Sequence, residues 1–305
     1  MFPSKAVFEE VSLKKRIDEA FIEKDWYVIQ VIKTLIDHPY QDVQLIFTGG
    51  TSLSKAHKLI ERFSEDVDFR LTAPSLTGKG PSAVRKTLSD FKNHVSALLG
   101  QSFTVLRTDA KNNNRYILVE LAYPTVYTPA LALRPHIKLE FALDDLLLPS
   151  MLLPVSSFVH EVAGEAPEIA RIACINPVEN ATDKLSALIW RIPSRVRGEQ
   201  DRQPDLVRHL HDLAKLSGQA LASPDFASLL HQTVERDDSR AEAVQGLSLS
   251  EKLAKVIAVL ETDKTYPSEY VTFVQGMSYA KNADVPSFDE ALTAVKRLAQ
   301  KVNRS

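Results

Sequence analysis

The stretch "FTGGTSLSKAHKLIERFSEDVDFRL", residues 47–71, sets two adjacent glycines before a helix-like run and two aspartates, one residue apart, after it. The chain has only ten glycines, so the pair Gly49-Gly50 marks a backbone corner. Residues 44–48 (QLIFT) read as a short apolar strand running into that corner. A helix is expected over 52–61, with Leu53, Ala56 and Ile60 on its inner face. Residues 66–71 (DVDFRL) then alternate as a strand, with Asp66, Asp68 and Arg70 on one face and Val67, Phe69 and Leu71 on the other.

Two carboxylates side by side repel each other unless positive charge stands between them. A hard divalent cation answers that need, because Mg²⁺ takes oxygen ligands and keeps positions open for phosphate oxygens. An Asp-x-Asp pair alone also fits a solvated strand edge. The glycine corner adds weight, since glycine lets backbone approach a ligand closely and a helix start offers N–H groups to an anion. Strand, corner, helix and returning strand predict a phosphate cradle at Gly49 and Gly50 beside the metal-binding pair Asp66 and Asp68. A third acid, Glu140, sits in the alternating run His136 to Leu143, sharing a face with Lys138. If that strand pairs beside 66–71, Glu140 is a third metal ligand or a base for an attacking hydroxyl; otherwise it belongs to a surface Lys/Glu pair.

Outward from this centre, residues 6–37 read as helical, with Phe21, Val28, Val31, Ile32 and Leu35 at helical spacing. A polar loop is expected over 72–82 and a helix over 83–99. Residues 102–108 and 115–123, joined through Lys111 and Asn112–Asn114, read as a hairpin. After about residue 150 the pattern turns helical. Asn176-Pro177 opens a helix that Pro193 ends, and a second is opened by Pro204 and closed by Gly218. The first of these has a buried stripe of Leu185, Leu188, Ile189 and Ile192, with Lys184 and Arg191 on a neighbouring exposed face. On the second, Leu206, Leu210 and Leu213 face inward, and Asp205, Arg208, His209 and Asp212 project elsewhere. Between 183 and 202 lies a modest basic segment, with Lys184, Arg191, Arg195, Arg197 and Arg202 against Asp183, Glu199 and Asp201. The expected fold class is α+β and bilobed: a small mixed sheet with flanking helices over 1–160, then a mainly helical lobe over 161–305.

Bulk properties narrow the field. A chain of 305 residues with 44% hydrophobic content has room for two packed units. Its formal charge of −2 offers nucleic acid only a local patch. Cys174 is the single cysteine, which excludes an internal disulfide framework and a multi-cysteine zinc site. With no long apolar run and no secretory start, a soluble cytoplasmic protein without membrane contact is expected.

The run "GGTSLSKAHKLIERFSEDVDFR" (49–70) resembles the signature of the AbiEii/AbiGii toxin family, a branch of the DNA polymerase β-like nucleotidyltransferase superfamily that takes in the MenT-like toxins. Further segments agree in order: "EKDWYVIQVI" (23–32), "DKLSALIWR" (183–191), "DLVRHLHDLAKL" (205–216) and "PSFDEAL" (286–292). The resemblance implies a bilobed nucleotidyltransferase fold. It makes Gly50 and Thr51 (or Ser52) holders of triphosphate oxygens and Asp66 and Asp68 metal ligands, with Ser64 beside them. It also implies that Lys184 contacts the nucleotide phosphates, with Arg191 as a further basic contact, and that Asp212 completes the site. The family motif commonly reads Arg-Asp-Leu-Tyr-Asp-Leu where this chain has Arg208-His209-Leu210-His211-Asp212-Leu213.

The activity so implied is transfer of a nucleotidyl group from an NTP to an acceptor hydroxyl, with Mg²⁺ or Mn²⁺ and release of pyrophosphate. Asp66 or Glu140 would orient or deprotonate that hydroxyl. The resemblance further implies the toxin of a bacterial toxin–antitoxin pair acting in abortive infection and phage defence, restrained by a cognate antitoxin. The expected acceptor is the 3′ end of tRNA, so that translation is blocked. Rival readings are a catalytically silent NTP-binding module, a transferase acting on a protein, and a metal-dependent phosphohydrolase or nuclease. The last leaves the glycine corner unexplained.

Overall fold

The computed structural model of the chain describes residues 2–41, 43–128, 133–198, 206–281 and 284–304. Two compact units emerge, one from residues 1–58 and 63–175 and the other from 59–62 and 176–305.

The first unit opens with α1 (Lys5–Lys15) and α2 (Glu19–Asp37), two helices within the stretch expected to be helical. The break is at Arg16, whose backbone is left-handed (φ 59°), and Asp18 restarts the helix by accepting the Ala20 N–H at 2.9 Å. Strand β1 (Gln44–Thr48) leads into α3 (Gly49–Lys55), which is shorter than expected, and then to β2 (Asp66–Thr72). Helix α4 (Pro81–Leu99) precedes the hairpin β3 (Thr104–Lys111) and β4 (Tyr116–Ala122). The hairpin turn is Asn112–Asn114, all three with positive φ, a conformation that asparagine tolerates better than most side chains. Strands β5 (Ile137–Leu143) and β6 (Met151–Val155), helix α5 (Phe158–Ala163) and strand β7 (Ile169–Cys174) complete the unit.

The seven strands form one mixed sheet in the order β3-β4-β5-β2-β1-β7-β6. Residues 161–175, expected in the helical lobe, instead end α5 and supply β7, which runs parallel to β1. Pro154 is tolerated in β6 because β6 is an edge strand. One face of the sheet carries the core. Val67, Phe69 and Leu71 join Ile117, Val119, Leu121, Ile137, Leu139 and Phe141 against α2 and α4. Phe69 stacks on Phe141 at 5.5 Å with an interplanar angle of 11°, and Phe47 lies 5.6 Å on its other side. The apolar half of each alternation is thereby satisfied, and the polar half is left on the opposite face.

The second unit is helical: α6 (Pro177–Arg191), α7 (Arg208–Ala222), α8 (Phe226–Asp237), α9 (Leu249–Thr262), α10 (Thr265–Met277) and α11 (Phe288–Val302). Asn176 caps α6 by accepting the Val178 N–H at 2.9 Å. Helix α7 continues through Gly218, which does not end it. The expected helix start at Pro204 and the charges at Glu199, Asp201, Arg202 and Asp205 lie outside the described residues. Capping boxes at Ser248/Glu251 and Ser287/Glu290 start α9 and α11. Among the described residues, no helix is long and apolar enough to cross a membrane.

Removing the central ring of the aromatic stack tests whether it holds the sheet to its helices. Phe69→Ala is expected to cost about 3–5 kcal/mol of stability, read as a lowered denaturant midpoint for the first unit.

Candidate active site

Strand register brings the acids together. On the polar face of the sheet, Thr48 pairs with Asp68 across β1 and β2, and Asp66 and Asp68 stand opposite Lys138 and Glu140 across β2 and β5. Gly49 explains itself here. Its φ is +72°, and a Cβ on it would lie 2.0 Å from Asp68 Oδ2. Only a residue without a side chain lets the corner and that carboxylate share the space.

The hydroxyl of Thr51 is buried and donates to the Asp66 carbonyl at 2.5 Å and to the Ser64 carbonyl at 3.3 Å. It stitches α3 to the strand that carries the acids. Ser52 is fully buried. Both hydroxyls sit inside the protein here, with the backbone N–H groups of the turn as further donors beside them. At the other end of α3, Lys55 lies 2.8 Å from Asp25 of α2 and over the Phe158 ring at 3.7 Å, which fixes the helix in place.

Positive groups surround Asp66. Arg134 Nη1 donates to Asp66 Oδ1 at 2.7 Å, and Lys138 Nζ is 3.8 Å from the same oxygen. Lys138 also pairs with Glu140. The Tyr116 hydroxyl hydrogen-bonds Glu140, and its pKa is raised first by burial, then by Glu140, Asp68 and Asp66. Behind Asp66, Lys24 donates to Glu65 at 2.8 Å and to the Arg134 carbonyl at 2.9 Å. Arg134, Lys138 and Tyr116 are site residues that carry no motif; Lys138 alone was signalled, by its shared strand face with Glu140.

Hard carboxylate oxygens two residues apart, in a setting that draws cations, suit a divalent metal ion. Glu140, expected as a third ligand or a base, lies opposite Asp68 in strand register. Among the described residues no group of three His, Cys, Asp or Glu side chains is placed to hold a metal, and Glu140 is engaged by Lys138 and Tyr116.

In the helical unit, Asp212 is 0% exposed and receives four donors. Arg62 grips it with Nε at 2.7 Å and Nη2 at 2.6 Å, Lys184 Nζ lies at 2.7 Å, and His211 Nδ1 at 3.2 Å. Burial pushes the Asp212 pKa up, but Arg62, Lys184 and His211 outweigh it and hold it well below the usual carboxylate range. Asp212 thus stands as the buried anchor of two cations. Lys184 is buried too, not on an exposed face, and burial lowers its pKa against the pull of Asp212. His209 is buried with neither ring nitrogen hydrogen-bonded. Burial, then the charges of Lys184, Arg208 and Arg191, keep its pKa well below the ordinary value, so the ring is neutral. The basic segment is spent internally: Arg195 binds Glu269 at 2.8 Å and Arg197 binds Asp263 at 2.8 Å. Arg191 is half-buried over the Trp190 ring at 4.6 Å.

Residues 31–294 match the family described as "Nucleotidyl transferase AbiEii toxin, Type IV TA system". The chain belongs to this family. AbiEii membership makes it a nucleotidyltransferase toxin of a type IV toxin–antitoxin system, with an NTP as substrate and an antitoxin as partner. Among solved structures, the AbiEii chain is similar to MenT4, nucleotidyltransferase toxin Rv2826c from Mycobacterium tuberculosis H37Rv. The two are 17% identical with a TM-score of 0.54, over 97% of this chain and 99% of that one, a likeness of fold. Comparison with curated proteins finds no match.

Two substitutions test the geometry of this AbiEii protein by chemical denaturation. Gly49→Ala adds a Cβ against Asp68 at a strained φ and is expected to cost about 1–3 kcal/mol. Asp212→Ala leaves Arg62 and Lys184 buried without their shared counter-ion and is expected to cost about 3–5 kcal/mol.

Proposed function

We propose that this toxin moves a nucleoside monophosphate from an NTP to the 3′ hydroxyl of tRNA and thereby blocks translation, using Mg²⁺ (or Mn²⁺) bound by Asp66 and Asp68. The observation that carries the reading is the convergence of those two carboxylates with the Gly49 corner, where Asp68 Oδ2 lies closer than any side chain at 49 would allow. A divalent ion, when bound, offsets the charge of the triphosphate and of the departing pyrophosphate.

The chain's own groups supply the rest. Backbone N–H groups at Gly49 and Gly50 are the proposed contacts for phosphate oxygens, with Ser64 flanking the acids. Lys184 and Arg191 are the residues of the helical unit proposed for the nucleotide's phosphates. The acceptor oxygen attacks the α-phosphorus, the bond to the β-phosphate oxygen breaks, and pyrophosphate leaves. Glu140, opposite Asp68 in strand register and outside the metal pair, is the proposed acceptor of the hydroxyl proton. The choice of tRNA rests on the resemblance of the sequence motifs, because Arg195 and Arg197 are consumed by internal pairs.

The test is incubation of the protein and Mg²⁺ with each α-labelled NTP and total tRNA. Label on tRNA is expected with one or two NTPs. Asp66→Ala should lower it by about two to three orders of magnitude, and Lys184→Ala should weaken it severely, with both variants folded. Full labelling by Asp66→Ala would remove the proposal.

A further inference from the structure

We propose that Arg134 is a positioning residue that occupies Asp66 as its resident cation and holds divalent-metal affinity down until a triphosphate arrives. The inference rests on the reading of Asp66 as a metal ligand.

Asp66 is 5% exposed, so its charge needs a partner, and Arg134 Nη1 provides one at 2.7 Å. The guanidinium is braced for this position. Its Nε lies 3.7 Å from Glu65 Oε2, and its backbone N–H donates to Glu65. Glu65 is itself gripped by Lys24 at 2.8 Å, and the same Lys24 holds the Arg134 carbonyl at 2.9 Å. Lys138 adds a second positive charge 3.8 Å from Asp66 Oδ1. A divalent ion approaching that oxygen meets two cations within a few ångströms, and both the contact and the repulsion oppose it.

The arm can let go. Its side chain is 34% exposed, whereas the Lys24 and Glu65 side chains that brace it are 4% and 11% exposed. The brace therefore acts on the Arg134 backbone and, through Glu65, on the guanidinium Nε, while the side chain keeps a third of its surface exposed. A guanidinium fork binds phosphate oxygens as well as it binds a carboxylate. An arriving triphosphate gives Arg134 a second anion and frees Asp66 for the metal that accompanies the nucleotide. Metal alone gains no such exchange.

The experiment is a Mn²⁺ titration of the full chain without nucleotide, read by the electron paramagnetic resonance of the free ion. Arg134→Gln is expected to bind Mn²⁺ at least about tenfold more tightly than the wild type, because the competing charge is gone. Arg134→Lys, which keeps that charge, is expected to stay near the wild-type affinity. Circular dichroism checks that both variants fold, and the partly exposed side chain makes the exchange tolerable. Equal affinity of Arg134→Gln and wild type, or tight binding by Arg134→Lys, overturns the inference. Adding Asp66→Asn to Arg134→Gln should abolish the gain. A gain that survives Asp66→Asn locates the ion elsewhere, and then it is the assignment of Asp66 as metal ligand that falls, with the inference built on it.

Discussion

A carboxylate pressed against backbone is the constraint on which the polar face of the sheet depends. Asp68 approaches Gly49 so closely that a Cβ there would overlap its Oδ2 at 2.0 Å, and the corner itself needs φ of +72°. Both conditions select glycine, for independent reasons. Thr51 then closes the loop from the other side by donating to the Asp66 carbonyl. Helix α3 is thus pinned to β2 at both acidic positions, and neither acid can shift without disturbing the turn. A binding corner built this way owes its rigidity to the acids it serves.

Charge balance decides what else must be present. An acidic strand face folds only if its carboxylates meet positive groups or hydrogen-bond donors. Asp66 finds Arg134 and Lys138; Glu140 finds Lys138 and Tyr116. In the helical unit the same need is met by Arg62, Lys184 and His211 around Asp212. Position 209, an acid in the common family motif, is histidine here, and burial first, then Lys184, Arg208 and Arg191, keep its ring uncharged. A second acid among those cations would draw charge from Asp212; a neutral imidazole leaves the whole grip to Asp212.

Much of this was legible in the sequence where a single period governs. The alternation of 66–71 and 137–143 set their faces correctly, and the three asparagines announced the hairpin turn. The sequence was silent where contacts are long-range. Arg134 stands in a stretch of sequence without apolar periodicity, and nothing local reveals that it pairs with Asp66. Strands β6 (MLLPV) and β7 (IARIAC) do not alternate apolar with polar residues, and Pro154 argues against a strand unless its edge position is known. Lys184 reads as exposed because a charged residue beside an apolar stripe is usually solvated. The buried Asp212 that reverses this lies on another helix, beyond the reach of spacing. Nothing local to Thr51 and Ser52 shows that tertiary packing buries both hydroxyls.

Two buried aspartates, Asp66 and Asp212, look alike in sequence and differ in what their partners can do. The arginine on Asp212 is 3% exposed, and two further donors share the same carboxylate. Withdrawing Arg62 would strand its charge in the interior, which costs several kcal/mol, so that pairing is fixed. The arginine on Asp66 is 34% exposed and can trade its carboxylate for another anion at the surface. Burial of the acid therefore does not separate structure from chemistry. The exposure of its counter-ion does, because only a partner with somewhere else to go makes a buried carboxylate available to a ligand.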